Sequence, residues 1–469
     1  MQEKEESKNK NLEKNLFYKK ESSWLNFSEN ELKEIFELAT EYKLFLDKSK
    51  TERTCILHVV DYLKKNNFKD LNSYNLIKKG DKFYKIIKDK CVICGICGEN
   101  LNNFRLIGSH VDSPRLDLKP MPLYEDSELG LLQSHYYGGI KKYHWVNVPL
   151  SLNGVIFTKN GQKITLNIGE NENDPKFIIP DLLPHLAKEQ LKKEASKVIE
   201  GEELNIIFGH IPIKDDEIKE KIKLNILKKL NEEYNLTEED FVFAELEFVP
   251  AQKSFDVGLD RGLIGGYGHD DRSCVFSSLK AICDINEDLK NTAISLFVDK
   301  EEIGSIGDTG ASSFILLNFA DEYVKKANLD IKPITILKQT KSISADVTVA
   351  LDPNFSSVND PKNSSYVGRG ISIEKYGGAG GKYHTNDAHA EYMQEIREIL
   401  DKNNIQWQTG ELGKIDVGGG GTIAMFMSRY GMDCIDAGLC VLGTHSPCEV
   451  ISKADLYSSY QFYKKFFKY

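Results

Sequence analysis

The sequence predicts an α/β protein with a discontinuous main domain, residues 1–120 and 249–469, and a β-rich insert, residues 121–248. Three observations lead there. A chain of 469 residues is longer than one ordinary core supports, so two structural units are expected. From "FVPAQKSF" to "YKKFFKY" strand-like and helix-like segments alternate, as they do along an α/β sheet. Between "LKPMPLY" and "FVPAQ" that alternation gives way to short β-like runs and one charged helical block. The composition, 41% hydrophobic and 28% charged with only 13 Pro, fits a globular mixed fold.

Taken in order, the first 20 or so residues are polar and lysine-rich, and frayed or loosely packed structure is expected. A helix follows with Ser28 as N-cap and Leu32, Ile35, Phe36 and Leu38 on its apolar side. The segments "KFYKIIKDKCVICGIC" and "NNFRLIGSHVDSPRL" read as two successive strands. The first contains Cys91, Cys94 and Cys97 at a spacing that could hold zinc or an iron–sulfur cluster. No fourth ligand stands nearby, and Val92, Ile93 and Ile96 give the segment the pattern of a half-buried strand, which is how we read it. In the insert, "VPLSLNGVIF", "QKITLNIG" and "LNIIFGHIPI" are β-like, and "DDEIKEKIKLNILKKLNEEYNL" is helical.

Charge and apolar runs exclude some functions. A net charge of −10, with basic residues interleaved among acids, argues against a phosphate-backbone partner. No run of about 18 apolar residues could span a bilayer, and the N-terminal segment has no apolar core of the kind a signal peptide needs. Nine cysteines, few and odd in number, fit free thiols in a reducing compartment. A cytoplasmic protein is expected.

Five segments share one layout: a strand-like run enters a loop, and a hard or borderline metal ligand stands at the junction. They carry His110 and Asp112 in "LIGSHVDSPRL", Asp270 in "GYGHDDRSC", Glu301 and Glu302 in "FVDKEEIGS", Asp346 in "SISADVTVA", and His445 in "CVLGTHSPCEV". In open α/β sheets the functional crevice lies at the carboxyl ends of the strands, so these side chains can converge. Imidazole and carboxylate without thiolate is the chemistry of a catalytic zinc or manganese site. Two histidines with three or four carboxylates exceed the needs of one ion and suit two, about 3.5–4 Å apart. Taken singly, His110 or His445 could be a satisfied core histidine, Asp270 an N-cap, and the Glu301–Glu302 pair a solvated strand end. The set is harder to explain that way.

The order H-x-D-S-P, G-x-D-D opening a helix, D-x-E-E-I-G-S, S-A-D and T-H-S resembles the aspartyl aminopeptidase and vacuolar aminopeptidase I family of di-zinc peptidases. The resemblance runs along nearly the whole chain and includes "HYYGGIKKYHW" and "LLPHLA" in the insert. It implies a mixed-sheet zinc-peptidase domain with an inserted dimerisation domain. It also implies two zinc ions per chain, which manganese or cobalt can replace. His110 and Asp346 would bind one ion, Glu302 and His445 the other, and Asp270 would bridge both. Asp112 would orient His110, and Glu301 would be the general base that takes a proton from water. The substrates implied are peptides, losing an acidic or neutral N-terminal residue. The assembly implied is a dimer-based homo-oligomer, a closed shell of twelve chains, in which His185 of "PHLAKE" reaches a neighbour's active site.

Two departures leave alternatives open. His269 and Asp271 flank Asp270 where the family commonly has Leu and Asn, so Asp271 competes for the bridging position. The glycine-rich segment "GGAGGKYHTNDAHAEY" corresponds to the family's substrate-binding loop and offers Lys382, which with Arg369 could read an acidic side chain; His384 and His389 are equally well loop histidines. A di-zinc deacylase or carboxypeptidase on the same scaffold is the nearest alternative function, separable by the need for a free substrate N-terminus. A non-catalytic assembly subunit and an iron–sulfur protein built on the three cysteines are the alternatives from other classes.

Overall fold

The structure, a computed structural model, describes residues 9–13, 15–18 and 21–469. The looseness expected of the first 20 residues falls partly outside the described residues. Among the described residues the strands form three sheets. In the nine-stranded sheet the order is Lys69–Asp70, Lys82–Ile87, Cys91–Ile96, Asn291–Val298, Asn100–His110, Lys341–Ser344, Asp433–Gly438, Ile371–Glu374 and Trp407–Thr409. The four strands from Asn291–Val298 to Asp433–Gly438 are parallel, and both flanks are joined antiparallel. The central strand Asn291–Val298 is buried throughout, as a strand covered on both faces must be.

One face is covered by the helices Glu29–Lys48, Glu52–Lys65, His269–Cys283, Ala390–Lys402 and Lys453–Lys468, the other by Ile315–Lys326, Pro333–Gln339 and Ala424–Ser428. Ser28 caps the first of these, its side chain taking the Glu31 N–H while Glu31 reaches back to the Ser28 N–H. Ile35 and Leu38 are buried as expected, but Phe36 is not: it sits at the rim, 39% exposed, with the Lys453 ammonium 4.5 Å over its ring. The helix presents Ile35, Leu38, Ala39, Tyr42, Phe45 and Leu46 to the core, and Phe36, one residue on from Ile35, turns about 100° away from that stripe. Cys91 and Cys97 face one core and Cys94 the other, so the strand pleat separates them. Among the described residues no cysteine belongs to a group that could hold a metal.

The second sheet has six antiparallel strands, ordered Lys163–Ile168, Leu150–Phe157, Glu245–Pro250, Arg115–Asp126, Leu129–Tyr137 and Asn205–Gly209. It encloses its own core with the helix Lys221–Tyr234. The strand after His110 thus passes directly into this sheet at Arg115 and returns at Pro250. A third, five-stranded sheet contains Leu263–Gly266, Glu449–Ser452 and Cys440–Leu442, and brings the His445 loop beside the start of helix His269–Cys283. No helix among the described residues is long and apolar enough to cross a membrane.

Candidate metal centre

Pairing in register brings the predicted side chains to one end of the large sheet. His110 ends its strand opposite Val298, and Glu301–Ile303 is the turn that follows Val298. Lys300 and Gly304, both with left-handed backbone, bracket that turn and reverse the chain over the strand end. Asp346 follows the neighbouring parallel strand, whose Ser344 pairs with Gly108. Gly438 makes room for it: a Cβ there would lie 1.9 Å from the Asp346 carbonyl oxygen.

The five predicted ligands converge. His110 Nε2 is 3.1 Å from Asp270 Oδ1 and 3.7 Å from Asp346 Oδ1. His445 Nε2 is 3.4 Å from Asp270 Oδ2 and 3.1 Å from Glu302 Oε2. Asp270 therefore stands between two groups, one oxygen toward each histidine. Each histidine has its other ring nitrogen within hydrogen-bond distance of a carbonyl, His110 Nδ1 of Asp112 at 3.1 Å and His445 Nδ1 of Gly139 at 2.8 Å, so a proton on Nδ1 is held there and the neutral ring offers Nε2 to a cation. Asp271 points elsewhere; it is wholly buried, and its Oδ2 accepts the His110 backbone N–H at 3.2 Å.

Two buried carboxylates hold the loops that carry these side chains. Asp112 accepts the N–H groups of Glu301 and Glu302, each at 3.1 Å, and the Tyr137 hydroxyl at 2.8 Å, and its Oδ1 lies 3.3 Å from His110 Nδ1. Glu449 does the same on the other side, taking the N–H of Asp270 at 3.0 Å and of His445 at 2.8 Å. Sequence reasoning singled out Asp112 but missed Glu449. Its one visible signal was an acid four residues beyond His445 at the start of an apolar strand.

Charge is concentrated here. Burial opposes ionisation of Asp270, yet the His110 and His445 imidazoles beside its two oxygens hold its carboxyl well below the usual range. Against burial, Asp270 and Glu302 push His445 up to about 10, and Asp112, Asp270 and Asp346 raise His110. Burial, opposed by His110 and reinforced by Asp346 and Asp112, pushes Glu301 up to about 8. Asp270 Oδ1 and Glu302 Oε1 are buried without any hydrogen-bond donor. Buried carboxylate oxygens without donors, beside two imidazole Nε2 atoms, are what a bound cation satisfies. His110, Asp270 and Glu302, and likewise His110, Glu301 and Asp346, are close enough to share an ion. Nitrogen and oxygen donors without sulfur fit zinc in a catalytic setting.

A cavity of about 650 Å³ opens on Glu301, Glu302 and His445, with Ile306, Met425 and Phe426 on its wall. His384 lines it as well. Other predicted residues lie apart from it. Lys382 is paired with Asp387 at 3.1 Å and stacked 3.7 Å over Tyr376, so the loop's own groups satisfy its charge. His389 is exposed at the start of the helix Ala390–Lys402, and Arg369 stacks on Tyr366 beside Tyr18 and Trp407. His185 is exposed in the insert, and Leu182, Leu183, Leu186 and Leu191 near it in sequence are also exposed.

Comparison with known proteins places the chain in a family. The family described as aminopeptidase I zinc metalloprotease (M18) matches residues 45–467. The probable M18 family aminopeptidase 1 of Clostridium acetobutylicum is 45% identical over 453 residues, covering 95% of this chain and 97% of its own. A crystal structure of the M18 family aminopeptidase from Thermotoga maritima has a TM-score of 0.93 at 41% identity, covering 96% of this chain and all of that one. The fold is shared more distantly by the mApe1 dodecamer of S. cerevisiae, with a TM-score of 0.73 at 22% identity over 92% of this chain and 96% of that one. With the family match and the identity both running over nearly its whole length, the chain belongs to the M18 aminopeptidases, a family of zinc metalloproteases.

Proposed function

We propose that the protein releases the N-terminal residue of peptides at a two-zinc centre, with Glu301 as general base. The observation that carries this reading is Asp270, whose two carboxylate oxygens face different histidines, as a residue shared by two ions requires. His110 and Asp346 would hold one ion, Glu302 and His445 the other, with manganese or cobalt as possible substitutes. Zinc held there supplies positive charge that acidifies water and polarises a peptide carbonyl. Glu301 takes a proton from the attacking water on a carboxylate oxygen and returns it to the departing amine nitrogen. Asp112 and Glu449 keep the turn and the loops in place while this happens. Of the acidic and neutral N-terminal residues expected, the cavity wall offers Ile306, Met425 and Phe426 to neutral ones and Arg429 to acidic ones.

Two substitutions measured side by side test the assignment. Glu301→Gln should keep its zinc and lose roughly 10²–10⁴ in kcat with little change in KM. Glu302→Gln should lose zinc and activity together. If Glu301→Gln sheds zinc while Glu302→Gln keeps it, the roles are reversed.

The six-stranded insert is proposed to pair subunits, with a dimer as the minimum unit and twelve chains as the full assembly. Support comes from the exposed leucines near His185 and from the dodecamer of the distant yeast neighbour. Full activity in a monomer by light scattering would remove this role from the insert and from His185.

A further inference from the structure

Four carboxylates line an adjoining cavity of about 370 Å³ that shares Glu301 and His445 with the first: Asp270, Glu301, Asp346 and Glu374. The zinc reading gives the first three a purpose. Glu374 has none, for it joins neither group close enough to share an ion. It ends the strand Ile371–Glu374, opposite Asp436, and is only 8% exposed. The Thr348 hydroxyl donates to its Oε1. Among the described residues its Oε2 has no hydrogen-bond partner, yet that oxygen is not sealed in the interior. No lysine, arginine or histidine among the described residues forms an ion pair with Glu374; the lysine next to it, Lys375, turns to Asp387 at 3.8 Å. Burial, with the charges of Asp436 and Asp346 adding to it, pushes the carboxyl up to about 8. A carboxyl buried with a single donor is costly to the fold unless a positive partner arrives.

We propose that Glu374 binds a cationic nitrogen on the N-terminal residue of the substrate, through the oxygen that opens on the cavity. This rests on the two-zinc reading of the neighbouring site. Two sources share the chemistry: the α-ammonium that every substrate with a free N-terminus carries, and the side chain of an N-terminal lysine or arginine. Either forms a charge-assisted hydrogen bond with the carboxylate. An acidic N-terminal side chain placed there meets repulsion instead.

The test compares zinc-loaded wild type with Glu374→Gln on leucyl and lysyl p-nitroanilides, measuring kcat and KM separately together with zinc content and melting temperature. Glutamine keeps the acceptor for Thr348 and removes the charge. A rise in KM of roughly tenfold or more is expected, the size of a lost charge-assisted hydrogen bond, with kcat and zinc retained. A larger rise for the lysyl than for the leucyl substrate identifies the side chain as the source; an equal rise identifies the α-ammonium. A KM within twofold of wild type on both substrates overturns the inference, as does a fall in kcat or zinc without a change in KM. Should the glutamine variant misfold, Glu374→Ala is read in the same way. Glu301→Gln, run alongside, separates the two readings: if it retains full turnover the two-zinc mechanism fails, whereas a failure confined to Glu374 removes only this assignment.

Discussion

Replacing Asp112 with asparagine probes how the turn at Glu301–Glu302 is held. Asp112 is wholly buried, and its oxygens receive two backbone N–H groups and the Tyr137 hydroxyl and lie beside the His110 ring. In Asp112→Asn one oxygen survives as an acceptor, and an NH₂ group takes the place of the other. With the amide oxygen at the Oδ1 position, the Glu301 N–H stays satisfied. The Tyr137 hydroxyl can rotate to accept from the new NH₂, but the Glu302 N–H then faces another donor. One buried backbone donor without a partner costs about 1–3 kcal/mol. Against a typical stability of about 5–15 kcal/mol the protein stays folded, with a lower melting temperature. The greater effect falls on metal, since the substitution frees the turn that presents Glu302 and removes the carboxylate beside His110. Losses of this kind weaken metal binding roughly 10–100-fold. Zinc titration of metal-free protein, thermal melting and kcat at saturating zinc read these effects separately. Saturating zinc should refill the site while kcat stays below wild type, because Glu301 shares the loosened turn. Wild-type zinc affinity and melting temperature together would refute the reasoning.

Other outcomes follow from the same geometry. Asp270→Ala should lose both ions by elemental analysis, since it faces both histidines, whereas His445→Ala should mainly weaken one. Zinc binding at pH 7 should release protons, because His445 in the metal-free protein is pushed up to about 10 and is charged at that pH. Protons compete with metal, so affinity should rise with pH across the neutral range, about tenfold per pH unit for each proton displaced; calorimetry in two buffers of different ionisation enthalpy measures the number. Gly438→Ala should lower both stability, by about 1–3 kcal/mol, and zinc content, since its Cβ displaces the Asp346 carbonyl.

Much of this site was legible in the sequence because strand ends are legible. An apolar run that stops in a histidine or a pair of acids marks both the strand and what it points at, and register between parallel strands does the rest. Asp112 could be weighed because it stands two residues from His110. Glu449 and Glu374 could not, for a lone glutamate at the edge of a short strand looks like any solvated acid until the fold buries it. Lys382 drew attention as a cation in a glycine-rich loop, and the structure gives it Asp387 and Tyr376 within that loop instead. Asp270 and Asp271 were indistinguishable by type. What separates them is direction, one toward the imidazoles and the other toward the His110 backbone, and direction is a tertiary property. Phe36 failed for a simpler reason: helical spacing fixes a stripe only to within a residue at its margin.

The strands bearing His110 and the Glu301 turn are hydrogen-bonded neighbours, although the whole six-stranded sheet is threaded between them in sequence. A small zinc finger gathers its ligands from a few adjacent residues, so the ion can nucleate folding. Here the chain must first close a very long loop, which is entropically slow and leaves zinc nothing to grip until the pairing is complete. On this topology metal capture should follow that pairing rather than start it. A metal-starved cell would accumulate folded, inactive protein awaiting its ions, a reservoir that a pulse of zinc could activate without new synthesis.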